Sequence, residues 1–139
     1  MKITIEVLVK NDMATVWNAW NNPNDIKQWN AASDDWHTTQ INVELVVGGK
    51  FSSRMEAKDG SMGFDFEGTY THIDEYKRIE YLLGDDRTVE IDFQQTDSGV
   101  LVTETFDAEN ENSAEMQRQG WQSILDNFAR HVESKSNSQ

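Results

Sequence analysis

The sequence predicts an α+β domain in which a curled antiparallel sheet of about seven strands surrounds a long C-terminal helix, with two short helices after the first strand. Three observations support this prediction. Apolar and polar residues alternate in residues 3–9 and again in segments between residues 37 and 106, which is typical of half-buried strands. The spacing becomes helical in residues 12–29 and again beyond residue 109. A chain of 139 residues is the length of one domain, so we expect a single domain over residues 1–133 and a polar tail over 134–139.

The N-terminal segment predicts a strand followed by two short helices. The strand begins near Ile3, and Asp12 is a suitable N-cap for a helix that carries Val16, Trp17 and Trp20 on one face. A second short helix begins at Pro23 or Asn24 and carries Ile26 and Trp29. Residues 30–35 have no period, which predicts a loop between Trp29 and Trp36 that could act as a lid.

The central segment, residues 37–106, predicts about six consecutive antiparallel strands. Turn signals rich in Gly, Asp and Ser interrupt it at short intervals, at residues 48–49, 59–60, 74–75, 84–86 and 97–99. Between the turns, apolar residues share one face of each strand, namely Phe51 and Met55; Met62, Phe64, Phe66 and Tyr70; Ile79, Tyr81 and Leu83; Val89, Ile91 and Phe93; and Val100, Val102 and Phe106. One face of the sheet is therefore expected to be apolar and aromatic, and the other to face water.

The C-terminal segment predicts one long helix from Asn112, as N-cap, to Glu133. Its apolar stripe is formed by Met116, Gly120, Trp121, Ile124, Leu125, Phe128 and Val132. A seven-stranded sheet is roughly 34 Å wide, whereas a helix with its side chains is about 10–12 Å across. The sheet must therefore curl around the helix, and the space between them is filled either by aromatic side chains or by a ligand.

Composition excludes several classes of function. The chain has 25 acidic and 12 basic residues, a formal net charge of −13, which repels nucleic acid and anionic membrane surfaces. It has no cysteine, no membrane span and no signal-peptide pattern, so we expect a cytoplasmic protein. No phosphate loop, dinucleotide fingerprint, Ser-His-Asp triad or metal-ligand spacing occurs, so neither a cofactor nor a metal is expected, and Gly48-Gly49 is interpreted as a tight turn.

Several motifs together resemble those of a known family. They are VWNAW (16–20), IKQW (26–29), DDWH (34–37), VGGKF (47–51) running to Met55, GFDFEGTY (63–70) and GWQSILDNF (120–128). The sequence resembles the SRPBCC, or START-like, superfamily, and within it the branch of activator of heat-shock-protein-90 ATPase homologue-like proteins, also called polyketide cyclase/dehydrase-like. The resemblance implies the helix-grip fold, whereas the functions it implies vary, because such domains serve as lipid binders, cyclases and chaperone regulators.

Three functions remain open at this stage. The first is the binding of a small hydrophobic or amphipathic molecule between the sheet and the C-terminal helix. The second is a cyclase or dehydratase acting on a polyketide-like substrate, and the third is a chaperone ATPase activator-like interaction module, for which the family name is the support. The oligomeric state also stays open, a homodimer included.

Two residues are candidates for chemistry. Glu104 shares the inward phase of Val102 and Phe106, which places a carboxyl among apolar neighbours, unless a bulge or edge position turns it to solvent or onto Arg54 or Arg87. His37 follows Trp36 beside the predicted loop and could serve as a base or ligand contact, or be structural. The candidate ligand-binding residues are Trp29, Trp36, His37, Met55, Phe64, Phe66, Tyr70, Tyr81, Phe93, Glu104, Trp121 and Leu125.

Overall fold

The alternating segments form one antiparallel sheet, and the helical segments pack on its concave face. The structure is a computed structural model that describes residues 1–135. Its elements are β1 (Lys2–Val9), α1 (Met13–Asn21), α2 (Pro23–Trp29), β2 (Trp36–Val43), β3 (Lys50–Ala57), β4 (Gly63–Asp74), β5 (Arg78–Leu83), β6 (Thr88–Thr96), β7 (Gly99–Asp107) and α3 (Ala114–Glu133). The strand order is β1-β7-β6-β5-β4-β3-β2, which confirms the predicted α+β, helix-grip arrangement of seven strands around a long C-terminal helix.

Two irregularities in strand pairing accompany the curl of the sheet. The register shifts between Thr38 and Gln40 in β2, and between Tyr70 and His72 in β4. An extra residue on one strand bends that strand and increases its twist. Both bulges lie in the β2–β4 half of the sheet, which they help to bend away from a flat surface.

Gly48 and Gly49 form the tight turn that the sequence predicts. Gly48 has a φ of +86°, a conformation that glycine adopts without steric cost. At Gly49 a Cβ atom would lie 2.2 Å from the carbonyl oxygen of Glu44, so only glycine fits there. Tyr70 exchanges backbone hydrogen bonds with both glycines, which fastens the turn to β4.

The outer face of the sheet carries a network of ion pairs. Arg78 on β5 donates to Glu80 at 2.7 Å, to Glu90 at 2.8 Å and to Asp92 at 2.6 Å. Hydrogen bonds to Glu80 and Asp92 raise the pKa of the guanidinium above its ordinary value. One cation therefore offsets the mutual repulsion of three carboxylates on neighbouring strands.

Side-chain caps define the helix ends, with one difference from the sequence prediction. Asp12 caps α1 by accepting from Thr15 N at 2.8 Å, as predicted. The N-cap of α3 is Ser113, whose Oγ accepts from Met116 N at 3.1 Å, and not Asn112. Both residue types are good N-caps and they are adjacent, so the spacing alone does not choose between them.

Helix α3 covers the free edge of β1. Arg118 Nη1 donates to the carbonyl oxygen of Thr4 at 2.8 Å, and Gln122 Nε2 donates to that of Glu6 at 3.2 Å. Unpaired carbonyl groups of an edge strand are thereby blocked from pairing with another chain.

No helix within residues 1–135 is both long and apolar enough to cross a membrane.

Asp25 links α2 to the end of α3. Its carboxylate lies 2.8 Å from His131 Nε2 and 2.8 Å from Lys135 Nζ. Burial raises the pKa of Asp25, but the hydrogen bonds from Lys135 and His131 outweigh burial, and the pKa lies below its usual range. Ser134 and Lys135, the start of the predicted polar tail, are thus held against the domain, and residues 136–139 lie outside the described part of the chain.

An aromatic cluster closes one end of the space between the sheet and the helices. Trp20 lies 5.1 Å from Trp29 and 4.9 Å from Phe128, measured between ring centroids, and Trp17 lies 5.1 Å from Phe93. The Trp29 indole donates a 3.0 Å hydrogen bond to the carbonyl oxygen of Ala19, which fixes α2 against α1. Three of the five tryptophans are therefore used to join the short helices to the sheet and to α3.

Candidate functional site

A cavity of about 500 Å³ lies between the concave face of the sheet and α3. That volume is within the usual range for sites that hold small organic molecules. Most of the wall is apolar or aromatic, and it includes side chains from α1, α2, five strands and α3. The residues that dominate it are Trp20, Ile26, Trp29, Ile41, Val43, Phe51, Met55, Phe64, Phe66, Tyr70, Tyr81, Trp121, Ile124 and Leu125.

The cavity reaches the surface at two large apolar side chains. Phe64, at the start of β4, and Met116, in the first turn of α3, both line it and are 50% and 62% exposed. The sequence predicts Met62 to continue the same apolar row, but it precedes the first residue of β4 and points away into water. Phe64 and Met116 therefore lie where a ligand can enter.

The indole of Trp121 forms part of the cavity wall. It stacks on Phe106 with a centroid distance of 3.9 Å and an interplanar angle of 8°, and it meets the edge of Phe66 at 6.2 Å. Its remaining surface is partly accessible, because it faces the cavity and is not enclosed by the core. Trp121 thus contributes more to the shape of the cavity than to filling the domain.

Glu104 places a carboxyl group on this wall. It lies on β7 between Ile5 of β1 and Ile91 of β6, in a stretch of unbroken register, and is only 6% exposed. Burial raises its pKa from 4.5 to about 8. The alternative in which Glu104 turns to solvent or onto Arg54 or Arg87 is wrong, because its side chain is buried and the ion pairs of these two arginines are with other carboxylates.

Three hydroxyl groups accompany the Glu104 carboxyl on the cavity wall. Tyr81 on β5, Tyr70 on β4 and Ser53 on β3 are all more than nine-tenths buried. Burial raises the pKa of Tyr70 to about 12, and burial, together with the charge of an ionised Glu104, raises that of Tyr81 well above 10. Both phenols therefore keep their protons at any physiological pH and can donate hydrogen bonds.

Nine of the residues predicted to bind a ligand line the cavity. They come from four strands, α2 and α3, and are Trp29, Met55, Phe64, Phe66, Tyr70, Tyr81, Glu104, Trp121 and Leu125. Their shared face follows from the alternation of apolar residues, so the sequence suffices to bring them together.

Trp36, His37 and Phe93 do not line the cavity. Phe93 has the expected inward phase, but its ring belongs to the aromatic cluster beneath α1, 5.1 Å from Trp17. His37 points to the surface, and Trp36 lies beside Phe64 with a centroid distance of 5.8 Å. The hypothesis that His37 and Glu104 act on one substrate is therefore contradicted by their positions.

Trp36 and His37 instead border a second, polar depression between α2, β2 and the end of α3. Lys58, Asn127, Arg130 and His131 are also on its border, as are Ala31, Ser33 and Asp34 of the loop that follows α2. Thr38 Oγ1 donates to the carbonyl oxygen of Asn30 at 2.9 Å, and Lys58 N donates to that of Asp35 at 2.8 Å. Of the predicted lid, residues 30–35, Asn30 borders the cavity and residues 31–35 do not, so the lid stays a prediction.

Sequence reasoning missed several cavity residues. Ser53 lies between Phe51 and Met55 on the inward face of β3, so the alternation already marks it as a polar residue in an apolar row. Gln117 of α3 was hidden by its polarity: it fastens the preceding loop by exchanging hydrogen bonds with the backbone of Glu109. Within residues 1–135, no three His, Asp or Glu side chains come together as metal ligands would.

The curled sheet, the long helix across its concave face and the cavity between them define the helix-grip class of the SRPBCC, polyketide cyclase-like kind. The profile of the family described as activator of Hsp90 ATPase homolog 1-like protein matches residues 11–133, and the chain belongs to that family.

Solved structures agree with this assignment. The solution structure of an AHSA1-like protein from Aeromonas hydrophila is 50% identical over 96% of this chain and 93% of that one, with a TM-score of 0.91. A protein from Cytophaga hutchinsonii is 43% identical over 95% and 92% of the two chains, with a TM-score of 0.83. A Nitrosomonas europaea protein shares the fold at 19% identity, with coverage of 98% and 96% and a TM-score of 0.85. No functionally curated protein matches the chain.

Proposed function

We propose that the protein binds a small hydrophobic or amphipathic molecule in the cavity between the sheet and α3. The observation that supports this most directly is a cavity of about 500 Å³ that stays open although the chain carries 14 aromatic side chains of Trp, Phe and Tyr. Burial of apolar ligand surface against such walls contributes roughly 25 cal/mol per Å². A ligand with several rings or a branched chain would fit the volume and the lining.

A direct test is to identify what the purified protein carries. The protein is denatured, its small molecules are extracted, and mass spectrometry compares them with an extract of an equally treated control protein. An enriched apolar or amphipathic compound is the expected result. As a second measurement, the neutral dye Nile red should bind with a gain in emission.

A matched pair of variants locates the binding. Ser53→Phe places a ring in the cavity, whereas Ser52→Phe places the same ring on the opposite face of β3, since neighbouring residues of a strand point to opposite faces. Dye affinity should fall at least tenfold for Ser53→Phe and stay unchanged for Ser52→Phe, with circular dichroism showing that both fold. Equal binding by both variants would mean that the dye lies outside the cavity.

A cyclase or dehydratase activity is the second candidate, and the buried Glu104 favours it. A carboxyl with a pKa of about 8 can give and take a proton near neutral pH. His37 cannot be its partner in the cavity, so the second acid or base would have to be Tyr81 or Tyr70. In that case Glu104→Gln should reduce turnover by about 10²–10⁴-fold.

The remaining expectations stay predictions. A chaperone-directed role is supported by the family name alone, and the cavity does not bear on it. A cytoplasmic location is favoured by the cysteine-free composition, and the net charge of −13 disfavours nucleic acid and anionic membranes as partners. The oligomeric state, a homodimer included, needs a solution measurement of mass.

A further inference from the structure

Four buried polar side chains face the cavity without a protein partner. Glu104, Tyr81, Tyr70 and Ser53 are 6%, 8%, 6% and 3% exposed, and among residues 1–135 none of their side chains forms a hydrogen bond. In this part of the chain, every side-chain nitrogen or oxygen that is wholly inaccessible has a hydrogen-bond partner. The free oxygens of these four residues therefore touch the cavity itself, where only a ligand or solvent can bond to them.

Unpartnered polar groups in an apolar wall are costly for the folded protein and are informative about the ligand. Leaving a buried donor or acceptor without a partner is unfavourable, and a ligand atom that supplies the partner recovers that free energy on binding. Such groups fix the orientation of a ligand whose apolar part provides most of the affinity. The chemistry of the four groups therefore restricts the chemistry of the ligand's polar end.

Glu104 is surrounded by neutral groups. Its strand neighbours are Ile5 and Ile91, and the cavity-facing residues of α3 opposite β7 are uncharged, Trp121 and Leu125 among them. The charged or titratable residues elsewhere on the wall are Tyr70, Tyr81, Arg87 and Glu109.

No neighbouring charge draws the proton off the Glu104 carboxyl. Arg87 Nε donates to Asp85 at 2.7 Å and Glu109 accepts two hydrogen bonds from Asn112, and neither side chain forms a hydrogen bond or ion pair with Glu104, whose pKa is raised by burial. Burial keeps the proton on the Glu104 carboxyl at neutral pH, and the phenols keep theirs. Together with the hydroxyl of Ser53, the wall therefore presents O–H donors from four residues.

We propose that the ligand is an uncharged molecule whose polar end carries an accepting oxygen, such as a ketone or another carbonyl, and that this oxygen receives a hydrogen bond from the carboxyl of Glu104. The inference rests on the proposed binding function and names the class of ligand for that site. An ammonium ion would have to lose its hydration, and Glu104 would have to release its proton to water, before the two could form a buried ion pair with a large desolvation cost. A carboxylate would bring a second acid beside Glu104, which has no ion-pair partner, and the charge of Arg87 on the described wall is already offset by Asp85.

Three probes that share one naphthalene ring separate these ligand classes. They are acetylnaphthalene, which carries a ketone, ethylnaphthalene, which has no acceptor, and naphthylethylamine, which is a cation. Calorimetry or equilibrium dialysis gives each affinity at pH 6 and pH 9 for the wild type, Glu104→Met, Glu104→Gln and the control Glu67→Gln, whose side chain is exposed on the outer face of β4.

The expected result is a difference between wild type and variant in the ratio of ketone affinity to hydrocarbon affinity, because comparing this ratio between two proteins cancels the different hydration of the probes. Glu104→Met, which removes the donor, should lower it about five- to tenfold at pH 6, the usual effect of one hydrogen bond. In the wild type, ketone affinity should fall about tenfold from pH 6 to pH 9, as the protonated fraction of Glu104 falls. Glu104→Gln keeps a donor and should retain the ratio but lose most of the pH dependence, and Glu67→Gln should match the wild type.

Two results would overturn the inference while leaving the proposed binding function intact. One is an equal ketone-to-hydrocarbon ratio in the wild type and Glu104→Met, with both proteins folded. The other is tightest binding of the amine, with an affinity that rises as Glu104 ionises. If instead none of the three probes and no Nile red binds to the wild type, the binding function itself fails.

Discussion

Replacing Glu104 by glutamine should change how the stability of the protein depends on pH. The side chain is buried among apolar neighbours, and its pKa is raised from 4.5 to about 8. In the unfolded chain the carboxyl loses its proton near pH 4.5, whereas in the folded chain it keeps it to about pH 8. Between these values the folded state binds one more proton than the unfolded state, so the free energy of unfolding must fall as the pH rises.

The size of the effect follows from the width of that window. The slope approaches ~1.4 kcal/mol per pH unit, and Glu104 ionisation alone disfavours the folded state by ~1 kcal/mol at pH 5 and ~4 kcal/mol at pH 8. Below pH 4.5 both states hold the proton, and well above pH 8 both have lost it, so the slope vanishes at either side. Glutamine has the same shape and no proton to lose, so its stability relative to the wild type should increase across this window.

The assay is urea unfolding followed by tryptophan fluorescence at pH 5, 6, 7 and 8, on the wild type, Glu104→Gln and Glu67→Gln. Asp107, with a pKa of about 2, and Tyr70, with a pKa of about 12, titrate outside this range in the folded protein. Groups that the wild type and Glu104→Gln share contribute equally to both profiles and cancel in the difference. A constant difference between wild type and Glu104→Gln from pH 5 to pH 8 would refute the buried, unpartnered carboxyl.

Three further predictions concern the fold. Trp121→Ala should cost about 2 kcal/mol in urea unfolding, because its indole faces the cavity. Phe128→Ala empties a fully buried site and should cost ~3–5 kcal/mol, and equal costs for the two variants would contradict the open cavity. Arg78→Gln should destabilise the protein by ~1–2 kcal/mol through repulsion among three carboxylates, and the loss should shrink in molar salt; a loss unaffected by salt would point to packing instead. Gly49→Ala should lower the melting temperature, because its Cβ would clash with the carbonyl oxygen of Glu44, whereas Gly84→Ala, with open space around its Cβ, should not. Equal melting temperatures of the two variants would contradict that clash.

Strand and helix patterns could be predicted from the sequence because each has its own period. The alternation in β6 and β7 fixes which side chains face inward, and that is why Glu104 could be recognised as a carboxyl in an apolar row. The same alternation placed Tyr81 and Phe66 on the concave face. These conclusions need only the local geometry of a strand.

His37 shows where a local pattern fails. Counting back from the inward-facing Ile41 in steps of two places His37 on the concave face, but the bulge between Thr38 and Gln40 inserts one residue. Thr38 is consequently the buried residue, and His37 points to the surface. A bulge depends on pairing with the neighbouring strand, which the period of a single segment does not contain.

The open cavity could not be predicted either, because it depends on where the aromatic rings pack. Composition alone allowed the five tryptophans to fill the space under α3. In the structure Trp20 and Trp29 pack edgewise on Phe128 at one end, and Trp121 lies flat on Phe106, so the rings form walls. How each ring packs depends on contacts between elements that are far apart in the chain, whereas a hydrophobic pattern specifies only the face on which the ring lies.

Charge disfavours anionic ligands both as they approach the protein and inside its cavity. The net charge of −13 repels an approaching carboxylate, and this long-range part weakens as salt is added. Inside the cavity the ligand meets the Glu104 carboxyl, and on the described part of the wall the charge of Arg87 is already offset by Asp85. Salt screens buried groups much less, so added salt would speed the approach of an anion without removing the cost of placing it beside Glu104. An uncharged ketone meets neither barrier, and its oxygen finds the donor that the apolar wall leaves without a protein partner.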